Sequence, residues 1–192
     1  MQVLIITDLH TWTDEEQKIT RDLEGYDICF LLGDISVDHL NELKEIIKTP
    51  LYGLNGNHDC NNIEAARIEN IHGKSITFHN ITFAGIQGSV RYKKGPWNMY
   101  TQGESVEICK VLPKADIFLT HDRAYDPGCN NFVHAGMNEI LEYIETNVPK
   151  LHIHGHVHRN EERFIGKTKS IAVYKAAVID TETLQTKIIY QD

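Results

Sequence analysis

Apolar positions change their period along this chain, and the changes mark out its elements. Residues 3–6, Val-Leu-Ile-Ile, form an unbroken apolar run, the signature of a strand buried on both faces. Residues 14–24 are largely polar, with Ile19 and Leu23 four apart, which predicts a surface helix. Residues 28–32 predict a second buried strand. Leu40, Leu43, Ile46 and Ile47 return at helical spacing, and Pro50 follows the end of that helix. Residues 51–54 predict a third strand. This βαβαβ opening implies a parallel sheet with right-handed crossovers.

The pattern then loosens. Two strand-like runs, Ser75–Phe78 and Ile81–Ile86, flank His79-Asn80 and predict a hairpin. Residues 87–103 are polar, with glycines and aromatics. A short helix and a strand over 117–119 are expected next. Ile140, Leu141 and Ile144 mark a helix within 136–147, Leu151–His154 reads as a strand, and residues 164–190 read as three or four short strands. The order fits an α/β fold of two face-to-face mixed β-sheets flanked by helices. With 192 residues and no repeat or linker, one domain spanning 1–192 is expected.

Polar residues of a particular kind fall just after the predicted strands. Asp8-Leu9-His10 follows the first, Gly33-Asp34 the second, and Gly56-Asn57-His58-Asp59 the third. His121 follows the strand over 117–119, and Gly155-His156-Val157-His158 follows Leu151–His154. Ligand sites in open α/β sheets gather beyond the carboxyl ends of strands. Taken singly, each cluster has a bland explanation. A Gly-Asp is usually a turn, and Gly and Asn tolerate left-handed backbone. Five such clusters at five strand ends are not bland, because they converge on one place.

Composition sharpens this. The chain has 11 histidines, and imidazole, carboxylate and amide oxygen together form a ligand set for first-row metals. The formal net charge is −8, whereas a protein that binds long nucleic acid usually carries a basic surface. Long DNA is therefore not an expected partner. Cys29, Cys60, Cys109 and Cys129 show no CxxC spacing and read as reduced structural or surface thiols. No apolar run approaches the roughly 18 residues of a membrane span. No basic n-region precedes the first strand, so a cytoplasmic location is expected.

The series Asp8-x-His10, Gly33-Asp34, Gly56-Asn57-His58-Asp59, Thr120-His121 and Gly155-His156-x-His158 resembles the calcineurin-like metallophosphoesterase superfamily. The resemblance spans residues 8–158 and implies a four-layer αββα sandwich with two adjacent divalent metals. One metal would be held by Asp8, His10, Asp34 and His158. The other would be held by Asp34, Asn57, His121 and His156, with Asp34 bridging. His58 would face the substrate as a catalytic residue, with Asp59 orienting it. The implied activity is hydrolysis of a phosphodiester or phosphomonoester by in-line attack of a metal-bridging hydroxide.

The charges are consistent with that. Two dications, set against Asp8, Asp34 and one hydroxide, leave roughly +1, which suits an ester anion. Metal binding lowers the pKa of water from about 15.7 to roughly 7, and metals about 3.5–4 Å apart clamp attacking and leaving oxygens. The mixed N and O donors favour Mn²⁺, with Fe, Ni or Zn as alternatives.

Two departures stand out. Val37 in Gly33-Asp34-Ile35-Ser36-Val37-Asp38 does not fit the relatives' pattern, and Asp38 becomes a candidate helix cap. Asp122-Arg123 follow His121, where relatives carry small residues or proline.

Residues 88–100 are the expected specificity element, with Arg91 as the substrate-phosphate contact and Tyr92, Trp97 and Tyr100 as candidate stacking faces. A small phosphate ester, of nucleotide or RNA-end type, is the favoured substrate. His152 and His154 read as packed or solvated residues, and His134 is weighed as a residue of the site's rim. The rival functions are a non-catalytic scaffold of the same fold and a protein phosphatase. The retained His58 and the complete ligand set count against the scaffold.

Overall fold

The computed structural model describes residues 1–95 and 98–190. The chain opens with β1 (Gln2–Thr7), α1 (Asp14–Asp22), β2 (Ile28–Leu31), α2 (Val37–Ile46) and β3 (Leu51–Gly53). A single helical turn, α3 (Asn62–Ala65), leads to β4 (Glu69–Asn70), β5 (Ser75–Phe78) and β6 (Ile81–Ile86). The segment that follows holds β7 (Ser89–Val90), β8 (Met99–Tyr100) and α4 (Gln102–Val111). Then come β9 (Ile117–Thr120), α5 (Asn138–Asn147), β10 (Leu151–His154), β11 (Glu161–Ile165), β12 (Thr168–Ala172), β13 (Lys175–Asp180) and β14 (Thr186–Ile188).

Two six-stranded sheets result, ordered β14-β13-β1-β2-β3-β4 and β11-β12-β10-β9-β6-β5. Strands β1 to β4 are parallel, as are β6, β9, β10 and β12, while β13, β14, β5 and β11 join antiparallel. The period-2 geometry of strands explains the apolar runs. Val3, Ile5, Phe30 and Leu32 meet Phe83, Leu119 and Ile153 between the sheets. Leu4, Ile6, Cys29 and Leu31 point the other way, against Leu40 and Leu43 of α2. On the far face, Ala84, Ile86 and Phe118 pack on Ile140, Tyr143 and Ile144 of α5. The layers are helix, sheet, sheet, helix, as expected.

Local chemistry sets the helix starts. Thr13 and Thr101 each form a capping box, with Glu16 and Glu104 three residues on. Ser36 caps α2 by accepting from His39 N at 3.2 Å. This corrects the assignment of the cap to Asp38, which lies in the first turn. Strands β4, β7 and β8 have no counterpart in the sequence pattern, since two residues carry no readable period. Trp97 lies outside the described residues. No helix among the described residues is long and apolar enough to cross a membrane. The four cysteines are free, with Cys29 buried and Cys60 exposed.

Candidate metal centre

Four of the expected ligands sit where the chain turns sharply off a strand. Asp8 (φ 52°), Asp34 (φ 54°), His156 (φ 67°) and His158 (φ 50°) all occupy left-handed backbone. Such a conformation costs a non-glycine residue about 1–3 kcal/mol and gathers at functional sites. It turns each side chain back across the strand end. Neighbouring glycines let the loops close. A Cβ at Gly56 would lie 2.1 Å from Asp34 Oδ1, and one at Gly155 would lie 2.2 Å from Thr7 Oγ1.

The ligand atoms fall into two groups, Asp8/His10/His158 and Asp34/His121/His156, each within 4.8 Å of one another. In the first, His10 Nε2 is 3.2 Å from His158 Nε2, and His158 Nε2 is 3.4 Å from Asp8 Oδ1. In the second, His121 Nε2 lies 3.5 Å from Asp34 Oδ2 and 2.8 Å from Asn57 Oδ1. Asn57 Oδ1 thus lies beside the second group.

Each of several ligands has one polar atom tied to the protein and one left over. Asp8 Oδ2 accepts from His156 N and from Thr7 Oγ1, both at 2.9 Å. Its Oδ1 is buried and makes no hydrogen bond among the described residues. His121 Nδ1 donates to Leu32 O at 2.7 Å, leaving Nε2 inward. His156 Nε2 donates to Val133 O at 2.9 Å, leaving Nδ1. Asn57 Nδ2 donates to Tyr92 Oη at 2.9 Å, leaving Oδ1. Such outer bonds fix tautomer and orientation in metal sites. A buried carboxylate oxygen that faces an imidazole 3.4 Å away without a hydrogen bond is costly, and a cation would satisfy it. The residues therefore fit divalent metals.

Electrostatics agree. Burial alone would lower the His121 pKa, but the Asp34 carboxylate, with Asp8 adding, outweighs it and pushes the value up to about 10. Burial likewise opposes the charge on Asp34, yet His121 holds its carboxyl well below the usual range. Asp8 is depressed too, because His158 and His121 beside it overcome burial. The Asp8 carboxylate in turn raises His158 against a smaller effect of burial. A proton on His121 thus lies between Asp34 and Asn57, where a cation would sit. Metal and proton compete for such ligands.

His58 stands apart from both ligand groups. Its side chain is exposed, and its ring centroid lies 6.4 Å from that of His10. Its backbone N donates to Asp34 Oδ1 at 2.8 Å. Burial, with help from Lys93 and His10 and against Asp34, lowers its pKa.

Two expectations need correction. Asp59 does not orient His58 through a hydrogen bond among the described residues. Its Oδ2 accepts from Asp34 N at 2.9 Å and Gly56 N at 2.6 Å, and its Oδ1 accepts from Asn62 Nδ2 at 2.8 Å. It locks the Asp34 and Gly56 loops together. Burial raises its pKa to about 6, against the Gly56 N–H, with Asp34 adding to the rise.

Arg91 is also engaged elsewhere. Its Nη2 donates to Met99 O at 3.0 Å and to Glu104 Oε2 at 2.9 Å, tying it to the start of α4. The neighbour that reaches the centre is Tyr92, through Asn57. Tyr100 packs on His72, with ring centroids 5.8 Å apart.

The departures after His121 have a structural reason. Buried Asp122 accepts from Val90 N at 3.1 Å and Arg123 N at 2.8 Å, and buried Arg123 pairs with Asp126 at 2.9 Å. His152 is packed between Thr120 Oγ1 and Ser170 Oγ, each at 2.9 Å. Burial holds it well below its usual pKa and takes His154 to about 3.

The carbonyls of Leu32 and Val133, and the Tyr92 hydroxyl, have no place in the sequence reading. Backbone carbonyls carry no sequence signal. Tyr92 sits in the segment flagged for specificity, but nothing in its spacing points to Asn57.

Comparison with known proteins bears on the same features. No curated protein matches the sequence at a significant level. The fold is similar to that of TT1561 of Thermus thermophilus, with TM-score 0.69, 17% identity, and 98% and 99% of the two chains covered. It is also similar to the phosphopantetheinyl hydrolase PptH from Mycobacterium tuberculosis, with TM-score 0.61, 12% identity, and coverage of 91% and 89%. A novel archaeal phosphodiesterase matches with TM-score 0.55, 13% identity, and coverage of 97% and 98%. The family model for the calcineurin-like phosphoesterase superfamily domain matches residues 1–174. With that match over nearly the whole chain, and with Asp, His and Asn gathered at its strand ends, the protein belongs to the calcineurin-like phosphoesterase superfamily.

Proposed function

We propose that this protein is a phosphoesterase that uses two divalent cations to hydrolyse a small phosphodiester or a nucleotide-type phosphomonoester. Asp8, His10, Asp34 and His158 would hold one cation, and Asp34, Asn57, His121 and His156 the other. Mn²⁺ is favoured, with Fe, Ni or Zn as alternatives. The observation that carries this reading is the unsatisfied Oδ1 of buried Asp8, beside imidazole nitrogens 3.2 Å apart. When bound, the metals supply Lewis acidity and a water of lowered pKa.

The protein's own groups do the rest. Leu32 O, Val133 O and Tyr92 Oη hold the ligands in the required tautomers and orientation. Asp59 fixes the relation of the Asp34 loop to the Gly56 loop. His58, exposed and not a ligand, presents its imidazole to the ester's leaving oxygen. Hydrolase and phosphodiesterase neighbours of the same fold support an enzymatic reading.

The test is a screen of metal-reconstituted protein against p-nitrophenyl phosphate, bis-p-nitrophenyl phosphate and cyclic nucleotides. Turnover that chelator abolishes and Mn²⁺ restores is expected. Two bound metals without turnover on any ester would favour the scaffold reading instead.

A further inference from the structure

One histidine near the centre belongs to neither ligand group and is not His58. His134 ends the 3-10 turn Phe132–His134, in the loop between β9 and α5. Its ring centroid lies 5.0 Å from that of His156 and 6.3 Å from that of His158. His156 belongs to one ligand group and His158 to the other. His134 therefore stands beside both, at their seam.

The turn that carries it is already bound to the centre. Val133 O, one residue before, accepts the Nε2 proton of His156 at 2.9 Å. Asn131 Oδ1 accepts from Val133 N at 3.0 Å, and Asp126 N donates to Ala135 O at 2.8 Å, so the loop is pinned on both sides. A turn that positions a ligand with one residue sets the next residue's ring at a fixed place beside it.

The same bonds settle which nitrogen of His134 carries its proton. A backbone N–H can only donate, so the Asn131 atom facing Val133 N is the carbonyl oxygen. The other atom of that amide, Nδ2, lies 3.3 Å from His134 Nδ1. Nδ2 can only donate, so Nδ1 accepts and Nε2 bears the hydrogen. The half-buried ring thus keeps an N–H that no hydrogen bond of the described residues uses.

We infer that His134 is a substrate-contacting residue, donating its Nε2–H to a non-bridging oxygen of a phosphoryl group held across the two ligand groups. The inference rests on the phosphoesterase reading for its ligand. It adds a second imidazole to His58, at the opposite end of a row of rings that runs His58, His10, His158, His134.

The experiment is a titration of Mn²⁺-loaded protein with inorganic phosphate, on wild type, His134→Ala and His134→Gln, with metal content and melting temperature measured in parallel. A hydrogen bond to a charged group predicts phosphate binding weakened by about tenfold or more in His134→Ala. His134→Gln, which keeps an N–H donor, should recover part of it. Both variants should keep two metals and the wild-type melting temperature.

Equal phosphate affinity in His134→Ala with full metal content would overturn the inference, and so would loss of metal from that variant. Ester turnover in the wild type separates the two readings. Turnover with no effect of His134→Ala leaves the enzyme reading standing and this one overturned. Phosphate binding that depends on His134, without turnover, does the reverse. A loaded wild type that binds no phosphate overturns both.

Discussion

In one half of the candidate metal centre Asp34, His121 and His156 are all buried; in the other, Asp8 is buried while His10 and His158 are exposed. Each cluster brings one carboxylate and two imidazoles of its own, with Asn57 beside the buried one and Asp34 as the proposed bridge. The surroundings differ. In the buried half, carboxylate and imidazole act on each other through low dielectric, which is why His121 rises to about 10 against the effect of burial. In the exposed half, water reaches both imidazoles. Low dielectric favours a firmly held ion, and solvent access favours an exchangeable one with an open position for substrate. Chelator should therefore strip the exposed half first.

Several changes would break or sharpen that contrast. The largest effect is expected from His58→Ala, which belongs to neither half. Turnover should fall by roughly 10²–10⁴, while metal content stays at the wild-type value. Loss of metal in this variant would make His58 a ligand.

Next comes Tyr92→Phe, which removes the partner of Asn57 Nδ2. Outer bonds of this kind are worth roughly 10–100-fold in metal affinity. The loss should appear in the buried half alone, as one weakened step in a two-step calorimetric titration. Two equally weakened steps would show that the halves are not independent.

A smaller effect concerns the packing behind the buried half. His154 is buried with a pKa of about 3, against an ordinary value of 6.5. Below about pH 6.5 the unfolded chain takes up a proton that the folded one refuses. Stability should fall as pH drops from there towards 3, by about 1.4 kcal/mol per pH unit from this group. Urea melts between pH 7 and 4 measure this, and His154→Gln should flatten the slope.

Arg91→Ala should do least. The side chain ties to Met99 O and Glu104 rather than to the centre. Kinetics should be unchanged for mono- and diester substrates alike, and a change that tracked substrate charge would return Arg91 to the site.

Much of this was legible in the sequence, for a physical reason. A strand buried on both faces leaves an unbroken apolar run, and a ligand at its end leaves Asp, Asn or His beside Gly. Both signals are local, so Asp8, Asp34, Asn57, His121 and His156 could be placed at strand ends before any coordinates. What decided the remaining residues is not local. Asp59 is adjacent to His58 in sequence, yet its carboxylate spans from Gly56 to Asp34. Arg91 has the right chemistry for phosphate, but Glu104 of the α4 capping box takes it. The tautomers of His121 and His156 depend on the carbonyls of Leu32 and Val133, whose side chains say nothing about them. His134 could be weighed from the sequence as a rim residue, but its place beside both ligand groups depends on the turn that carries it.

The most direct test is metal stoichiometry. Stripped protein titrated with Mn²⁺ should bind two ions per chain, in two steps of different affinity. His121→Ala should lose the tighter step and His158→Ala the weaker one. Binding of fewer than two ions by the wild type, or loss of the same step in both variants, would contradict a dinuclear centre with one buried and one open half.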